Sequence, residues 1–345
     1  MSTTAEKPRV VVADDSALMR RIVSNLLARG GVEVVGAAKD GDEALAMCER
    51  EQPDAMTLDL AMPGLGGIDV LRELRQRGGR QIPVVVVSAF SPAHGARAVD
   101  ALAEGAFELV PKPNGTNDVD AFAQNLLGKI TLAIRTRRRL APWRRPPGGD
   151  GHRRPAQDGV ARALLIATST GGPRALATLI PGLPSPLGLG TIIVQHMPAG
   201  FTASLAARLD RSSPLTVREA QGGEMLQPAV ALVAPGGRHL RLRADGQTAV
   251  SDEAPLGGLR PRADLLIEDA AARWGDRLTL VVLTGMGNDG LRGAQEVHRR
   301  GGRILVEAES TCTVYGMPRA VAEADLADEV LPLDQMAAAI AAEVS

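Results

Sequence analysis

Five polar side chains in the first third of the chain each end or follow a short apolar run: Asp14, Asp15, Asp59, Ser88 and Lys112. Because the carboxyl ends of parallel strands open onto one crevice, a parallel α/β sheet would bring these groups together. Three carboxylates repel one another unless a cation lies between them, and oxygen ligands with access to water suit Mg²⁺. A carboxylate neutralised in this way, beside a lysine and a hydroxyl, can attack a phosphoryl group and hold it as an aspartyl phosphate.

A second set of reactive side chains follows three apolar runs in the other half of the chain. Ser169 precedes a strand-to-helix turn with the sequence Thr-Gly-Gly, His196 comes directly after another run, and Asp289 lies in a glycine-rich turn. A serine hydroxyl needs an adjacent base, and that base needs an orienting carboxylate. All three roles are filled here, which predicts a serine hydrolase whose catalytic residues converge at one edge of a parallel sheet.

The same half of the chain also carries glycines suited to binding an oxyanion. Gly171-Gly172 lies at a predicted helix N-terminus, where backbone N–H groups are unpaired, and Gly285-Met286-Gly287 allows close backbone approach. Either segment could supply an oxyanion hole, in which each donor is worth about 3 kcal/mol.

Other roles for these residues stay open on this evidence. Serine and aspartate at strand ends are common helix caps, and His239 and His298 are rival candidates for the base. The order serine, histidine, aspartate differs from that of α/β-hydrolases, and Ala167 replaces the first glycine of their G-x-S-x-G turn.

Alternation of apolar runs and helical patterns predicts a parallel, doubly wound sheet in the first part of the chain. The predicted strands are 9–13, 33–38, 55–58, 83–87 and 107–110. The predicted helices lie near 16–29, 42–51, 66–77, 92–104 and 118–139.

A second α/β pattern begins at about residue 160. Its predicted strands are 163–167, 191–194, 229–234, 278–283 and 303–306, and its helices include 172–180, 201–210, 263–274 and 289–300. A hairpin is predicted over 238–251, with Asp245-Gly246 as its turn. The fold class is therefore α/β, with two doubly wound parallel-sheet domains.

Composition excludes several classes of protein. The 345 residues include 39 basic and 40 acidic side chains, so no net field draws the chain to nucleic acid or to a membrane surface. No apolar stretch reaches the roughly 20 residues that span a bilayer, and the N-terminus lacks the apolar core of a signal peptide. Two cysteines cannot form a disulfide framework, and we therefore expect a cytoplasmic protein.

Between the two patterns lies a segment rich in proline, glycine and arginine, residues 141–155, which is typical of a linker. Eight arginines lie between Arg135 and Arg154. They could form a nucleic-acid-binding arm, but a solvated linker is the better interpretation of such a run.

Residues 7–125 resemble the receiver domain of two-component response regulators. The resemblance rests on the five polar positions above, on Met62-Pro63-Gly64 and on Pro111-Lys112-Pro113. It implies that Asp59 accepts the phosphoryl group, that Asp14, Asp15 and Asp59 hold Mg²⁺, that Ser88 is the switch hydroxyl and that Lys112 pairs with the phosphoryl group. Leu109 stands where the family usually has an aromatic switch residue, so we expect no aromatic ring to move with the switch hydroxyl.

Residues 160–340 resemble the catalytic domain of the CheB family of chemotaxis protein-glutamate methylesterases. The matching stretches are 169–172, 195–198 with 200–202, 234–236 with His239, 260–261 with 263–264, 283–290 and 314–319. The resemblance implies a triad of Ser169, His196 and Asp289, and it suggests the N–H of Met286 as an oxyanion donor. The family usually has glycine where this chain has Ala167 or Thr168 before the nucleophile.

Together the two resemblances imply a flavodoxin-like receiver at 7–125, a helix extension and linker at 126–159, and a Rossmann-like methylesterase domain at 160–345. The expected activity is a phosphorylation-activated demethylation of glutamyl methyl esters on chemoreceptor cytoplasmic domains, with deamidation of certain receptor glutamines by the same chemistry. A chemotaxis histidine kinase would be the phosphodonor, and the esterase site needs no cofactor.

Two hypotheses of other classes remain at this point. The second domain could bind a receptor without catalysis, which loss of any triad residue would favour, and none is lost. The chain could also be a DNA-binding response regulator that uses its arginine-rich linker, but no helix-turn-helix pattern follows the receiver.

Overall fold

Short strands and helices alternate along residues 7–77, 81–89, 92–113, 119–138 and 161–344, which are the residues that the computed structural model describes. They form two units, one on each side of the segment 139–160. The predicted linker lies in that segment, outside the described residues. The predicted domain boundaries at 125 and 160 accordingly stay predictions.

The N-terminal unit is a five-stranded parallel sheet with the order β2-β1-β3-β4-β5. The strands are β1 (Arg9–Ala13), β2 (Glu33–Ala38), β3 (Ala55–Leu58), β4 (Val84–Ser88) and β5 (Glu108–Pro111). The helices are α1 (Ala17–Arg29), α2 (Gly41–Glu51), α3 (Gly67–Gln76), α4 (Pro92–Ala103) and α5 (Val119–Arg138). This is the flavodoxin-like topology that the sequence predicts.

The valines of β1 are apolar on both faces of the strand, so both faces of the sheet must be covered there. Val10, Val11 and Val12 of β1 are at most 1% exposed, as expected for an inner strand of a parallel sheet. Because β2 and β3 lie on opposite sides of β1, the strand order reverses there, and a crevice opens at the carboxyl ends of β1 and β3.

The C-terminal unit contains a seven-stranded parallel sheet with the order β14-β13-β12-β6-β7-β9-β8. Its strands are β6 (Ala163–Thr168), β7 (Gly190–Gln195), β8 (Thr216–Glu219), β9 (Val230–Val233), β12 (Leu278–Val282), β13 (Arg303–Glu307) and β14 (Glu329–Leu331). Its α-helices are α6 (Gly172–Leu179), α7 (Phe201–Asp210), α8 (Ala263–Trp274), α9 (Leu291–Arg299), α10 (Met317–Glu323) and α11 (Leu333–Val344).

The hairpin prediction is confirmed. Strands β10 (His239–Leu242) and β11 (Thr248–Ser251) pair antiparallel, and Gly246 adopts a φ of 92° in the turn between them. A positive φ of this kind is the reason for glycine at that position.

Both sheets confirm the predicted fold class, and the differences from the predicted elements lie at their ends and edges. Strand β5 runs one residue later than predicted, and α9 begins at Leu291 rather than at residue 289. The short edge strands β8 and β14 were not predicted. Among the described residues, no helix combines the length and the apolar character that crossing a membrane requires.

The strand order of the second sheet reverses at β6, which lies between β7 and β12. The chain first builds the sheet outward through β7, and it later returns to add β12 on the other side of β6. A crevice therefore forms at the carboxyl ends of β6, β7 and β12, where an open α/β sheet binds its ligands.

Candidate catalytic and phosphorylation sites

Strand register places Ser169 beside His196. Thr168, the last residue of β6, pairs with Gln195, the last residue of β7, so the two reactive residues follow a matched pair. The backbone N–H of His196 donates to the carbonyl of Thr168 at 3.1 Å. The sequence prediction that these two residues meet at one edge of the sheet is in keeping with this register.

The imidazole of His196 is held by Asp289 through one of its two ring nitrogens. Nε2 of His196 lies 2.7 Å from Oδ2 of Asp289. The other nitrogen, Nδ1, is buried and has no hydrogen-bond partner within the described residues. An ionised carboxylate only accepts hydrogen bonds, so the proton lies on Nε2, and Nδ1 keeps a lone pair that can accept one.

Asp289 is 2% exposed, and backbone N–H groups surround its carboxylate. Ala263 donates to Oδ2 at 2.7 Å, and Asp264 and Gly290 each donate to Oδ1 at 3.0 Å. Burial alone would raise the pKa of Asp289, but the hydrogen bonds from His196 and from these N–H groups hold that pKa well below its usual range. Asp289 is therefore ionised at neutral pH and fixed in direction.

Arg262 and Asp264 form a supporting layer around Asp289. Sequence reasoning missed Arg262, and it named Asp264 only as part of a resemblance. Nη2 of Arg262 lies 2.8 Å from Oδ2 of Asp264, and its Nε lies 3.4 Å from Oδ1 of Asp289. Burial opposes the charge of Arg262, but Asp264 and Asp289 raise its pKa above the ordinary value. Oδ1 of Asp264 in turn accepts from Gly290 and Gly293, so the N-terminus of α9 is tied to that of α8.

Crowding explains why glycines surround Ser169. A Cβ on Gly285 would lie 2.8 Å from Cβ of Ser169 and 2.4 Å from Sδ of Met317. Gly171 has a φ of +82°, and a Cβ on Gly172 would lie 2.0 Å from Oε1 of Gln195. These positions therefore admit only glycine without movement of the nucleophile or its neighbours.

Each of the two glycine segments has one backbone N–H that the fold uses and one that it leaves for a ligand. The N–H of Gly172 donates to the carbonyl of Ser169 at 2.8 Å, and that of Gly285 donates to the carbonyl of Val314 at 3.0 Å. The N–H groups of Gly171 and Met286 make no hydrogen bond within the described part of the chain. Met286 and Gly171 thus each keep a free backbone donor, as an oxyanion hole requires.

Thr168 and Gln195 support the site in ways that sequence reasoning missed. Nε2 of Gln195 donates to the carbonyls of Ser169 and His196, each at 2.9 Å. Oγ1 of Thr168 donates to the carbonyl of Thr284 at 2.9 Å. The signal available in the sequence was that both are polar residues at the end of a buried strand.

The two rival histidines have other environments. His239 is fully buried, its Nδ1 accepts the N–H of Arg262 at 3.2 Å, and its Nε2 lies 3.3 Å from the carbonyl of Ala254. Both of its nitrogens are therefore engaged by the backbone. His298 is exposed on α9.

In the N-terminal unit, the carboxylates of Asp14, Asp15 and Asp59 form one acidic cluster, with a ligand oxygen from each lying within 4.8 Å of the others. Nζ of Lys112 lies 2.7 Å from Asp59 and 2.8 Å from Asp14. Burial raises the pKa of Asp14, and the charge of Asp59 adds to that effect, although Lys112 opposes it. Asp14 and Asp59 are nearly buried and Asp15 is exposed, so the cluster is open to water on one side.

Ser88 and Leu109, the other two receiver positions singled out in the sequence, differ in their surroundings. Ser88 is the last residue of β4 and fully buried, and its carbonyl accepts the N–H of Lys112 at 2.8 Å. Its hydroxyl lies 3.5 Å from the carbonyl of Ala89. Leu109 is 4% exposed on β5, as a core residue of the sheet.

Comparison with known protein families agrees with this division of the chain. Residues 164–340 match the family described as CheB methylesterase, and residues 10–124 match the response regulator receiver domain. The first match covers more than half of the chain, and the second covers most of the N-terminal unit.

Similar proteins match over nearly the whole chain. A protein-glutamate methylesterase/protein-glutamine glutaminase of Symbiobacterium thermophilum is 41% identical, over 99% of this chain and 98% of that protein. A protein of the same description from Geobacillus kaustophilus is 40% identical, over 96% of this chain and 97% of that one. The crystal structure of the Thermotoga maritima CheB methylesterase catalytic domain is 40% identical and covers 53% of this chain and 98% of its own, with a TM-score of 0.51. The chain belongs to the CheB family of chemotaxis methylesterases, with a response regulator receiver domain ahead of its methylesterase domain.

Proposed function

We propose that Ser169, His196 and Asp289 carry the protein-glutamate methylesterase and protein-glutamine glutaminase activity of this family member. The observation that carries the proposal is the 2.7 Å contact between His196 and Asp289, on a histidine that strand register places next to Ser169. This enzymatic interpretation is favoured over a non-catalytic adaptor or a DNA-binding regulator, because the chain belongs to a family of methylesterases.

In the first half of the reaction, Oγ of Ser169 attacks the carbonyl carbon of a glutamyl methyl ester. Nε2 of His196 is engaged by Asp289, so Nδ1 is the atom that takes the serine proton. The hydroxyl of Ser169 makes no hydrogen bond to Nδ1 in this structure, and such contacts often tighten only when substrate binds.

The negative charge that develops on the carbonyl oxygen of the ester needs a hydrogen-bond donor that is already in place. The free N–H of Met286 suits this role, since the neighbouring Gly285 holds the loop against the backbone of Ser169. One such donor contributes about 3 kcal/mol to transition-state stabilisation.

The intermediate then collapses, and the proton on His196 passes to the departing methoxide, which leaves as methanol. Water next attacks the acyl-enzyme while His196 takes its proton, and His196 then returns that proton to Oγ of Ser169 as the bond to the glutamate side chain breaks. A receptor glutamine follows the same two steps with ammonia as the leaving group. Asp289 stays ionised throughout, because its hydrogen bonds favour the charged form.

The substrates that fit this activity are methylated cytoplasmic domains of chemoreceptors, and we place the enzyme in the cytoplasm with them. The proposal is supported by the family to which the chain belongs.

The receiver would take its phosphoryl group on Asp59 from a chemotaxis histidine kinase. The acidic cluster fits a Mg²⁺ ion held by Asp14, Asp15 and Asp59, since hard oxygen ligands with access to water are what this cation prefers. The ion would neutralise charge on the phosphoryl oxygens. Lys112, already 2.7 Å from Asp59, is placed to pair with a phosphoryl oxygen, and Ser88 at the end of β4 is the proposed switch hydroxyl.

Phosphorylation of Asp59 is expected to raise the rate of methanol release. A tenfold activation needs only about 1.4 kcal/mol of difference between the two states of the protein, which one new phosphoryl charge can supply. The measurement is methanol release from a methylated receptor fragment by the full chain, with and without a small-molecule phosphodonor and Mg²⁺.

Two variants sharpen this test. Asp59→Asn should take up no phosphoryl group by intact mass and should stay at the basal rate, whereas Asp69→Asn, the same change on the exposed face of α3, should respond like the wild type. Activation that persists in Asp59→Asn would show that this residue is not the acceptor. A wild type that is phosphorylated but no faster would contradict the regulatory role.

A further inference from the structure

A carboxylic acid lies buried behind the catalytic crevice without a counter-charge. Glu307, the last residue of β13, is 0% exposed, and no basic side chain among the described residues forms an ion pair with it. Its Oε2 accepts the backbone N–H of Thr284 at 2.7 Å. A buried acid is costly, so its presence at this position calls for a role beyond filling space.

The residue that Glu307 holds, Thr284, is the centre of the hydrogen bonds around the nucleophile. Its carbonyl accepts the N–H of Ser169 at 3.0 Å and the hydroxyl of Thr168 at 2.9 Å. Its own hydroxyl donates to the carbonyl of Thr170 at 2.9 Å and accepts the N–H of Val314 at 2.9 Å. Thr284 therefore contacts Ser169 and the residue on each side of it, through its carbonyl and its hydroxyl.

Thr284 also begins the loop that carries the oxyanion donor. Gly285, the next residue, bonds Val314 through its N–H and accepts the N–H of Met317 at 2.8 Å, and Met286 follows directly. The N–H that Glu307 holds and the carbonyl that accepts from Ser169 lie on either side of the Thr284 Cα. A shift of the Thr284 backbone would thus move the backbone of Ser169 and the N–H of Met286 together.

We propose that Glu307 is a positioning residue of the esterase site, which fixes the backbone of Thr284 and so sets the distance between the Ser169 hydroxyl and the Met286 N–H. This inference rests on the proposed roles of Ser169 and Met286. Glu307 itself touches neither of these residues within hydrogen-bond distance, and it acts through Thr284.

The environment of Glu307 indicates which property of its side chain matters. Burial raises the pKa of Glu307, although the N–H of Thr284 and the side chains of Thr311 and Cys312 oppose that effect. Oε2 meets Thr284 as the acceptor of a backbone N–H, so an acceptor oxygen, rather than a negative charge, is what this contact requires. Glutamine offers that oxygen at the same length, whereas leucine and methionine have similar bulk and no acceptor.

The test compares these substitutions in the full chain, with methanol release from a methylated receptor fragment as the readout. Glu307→Gln should keep kcat within about threefold of the wild type, because it keeps the acceptor. Glu307→Leu and Glu307→Met should lose roughly 10- to 100-fold in kcat with little change in KM, because the nucleophile and the oxyanion donor are then misaligned. The rate at which a fluorophosphonate labels the serine should fall in parallel.

Glu343→Gln is the matched control. Glu343 pairs with Arg303 at the opposite end of β13, with both side chains less than 10% exposed, so its replacement lowers stability without touching the crevice. We expect a lower Tm and an unchanged kcat for this variant. A merely structural Glu307 would behave in the same way.

The proposal is overturned if a folded Glu307→Leu or Glu307→Met keeps the wild-type kcat, or if Glu307→Gln is as slow as they are. Failure of both acceptor-free variants to fold would make Glu307 a structural residue and would also overturn it. Ser169→Ala separates this inference from the proposed function: residual methanol release in that variant would remove the site itself, whereas its complete loss with an active Glu307→Leu removes only the role of Glu307.

Discussion

Ser169→Ala is expected to leave the fold intact and to abolish methanol release from methylated receptor. The change removes the only atom that can form the acyl-enzyme, so the loss should reach the rate of the assay without enzyme, or several orders of magnitude in kcat. Ser169 is half-buried and its backbone makes the structural contacts, through its N–H to Thr284 and its carbonyl to Gly172. The Tm should therefore change little.

The matched control for this variant is Ser212→Ala. Ser212 lies after α7, is exposed, and bonds only the carbonyl of Leu209 through its hydroxyl at 3.3 Å. It should retain the wild-type kcat. Methanol release by Ser169→Ala at a rate near the wild type would move the nucleophile elsewhere and end the triad interpretation.

Asp289→Asn is expected to lower kcat by roughly 10⁴-fold with a small effect on KM. Asparagine can present its NH₂ group to Nε2 of His196, which would then accept the hydrogen bond and leave the proton on Nδ1. Because Nδ1 is the nitrogen left for the serine proton, the imidazole would be held in the wrong tautomer. The measurement is steady-state methanol release together with circular dichroism, to show that the protein is folded.

Asp269→Asn gives a control of the same chemistry at another site. Asp269 lies on α8 and accepts a backbone N–H from Leu242 at 3.1 Å, as Asp289 accepts those of Ala263 and Asp264, but its partner is Arg241 of the hairpin. Its replacement should reduce stability and spare kcat. An Asp289→Asn enzyme within tenfold of the wild type would show that Asp289 does not orient the base.

Much of the fold was predictable because periodicity and strand-end chemistry agree. The inner strands β1, β4, β6 and β12 are continuous apolar runs, and their predicted positions are correct to within one residue. Edge strands lack this signal. Strand β8 has one buried side chain, Val217, and β14 has three residues of which none is buried, so neither stands out from a loop.

The candidate site likewise contains residues that the sequence predicts and residues that only the structure reveals. Ser169, His196 and Asp289 could be selected from the sequence because Ser169 and His196 directly follow apolar strands and Asp289 lies in the glycine-rich turn after a third. The support that Gln195, Thr284 and Glu307 provide depends on which strands lie side by side, and the order β13-β12-β6-β7 comes from long-range pairing. No local pattern encodes that a glutamate at residue 307 meets the backbone of residue 284.

Which backbone donors of the two glycine segments are free also needed coordinates. As sequence, each segment offers several N–H groups near the serine. Only the hydrogen bonds of Gly172 to Ser169 and of Gly285 to Val314 show which donors the fold has already used, and they leave those of Gly171 and Met286.

The claim that Ser169 is the nucleophile is tested most directly by covalent labelling of the full chain with a fluorophosphonate, followed by peptide mass mapping and a parallel assay of methanol release. The account predicts one adduct per chain, located on Ser169, formed in step with the loss of activity and greatly slowed in Asp289→Asn. An adduct on another residue that accounts for the lost activity, or full inactivation with Ser169 unmodified, would contradict it.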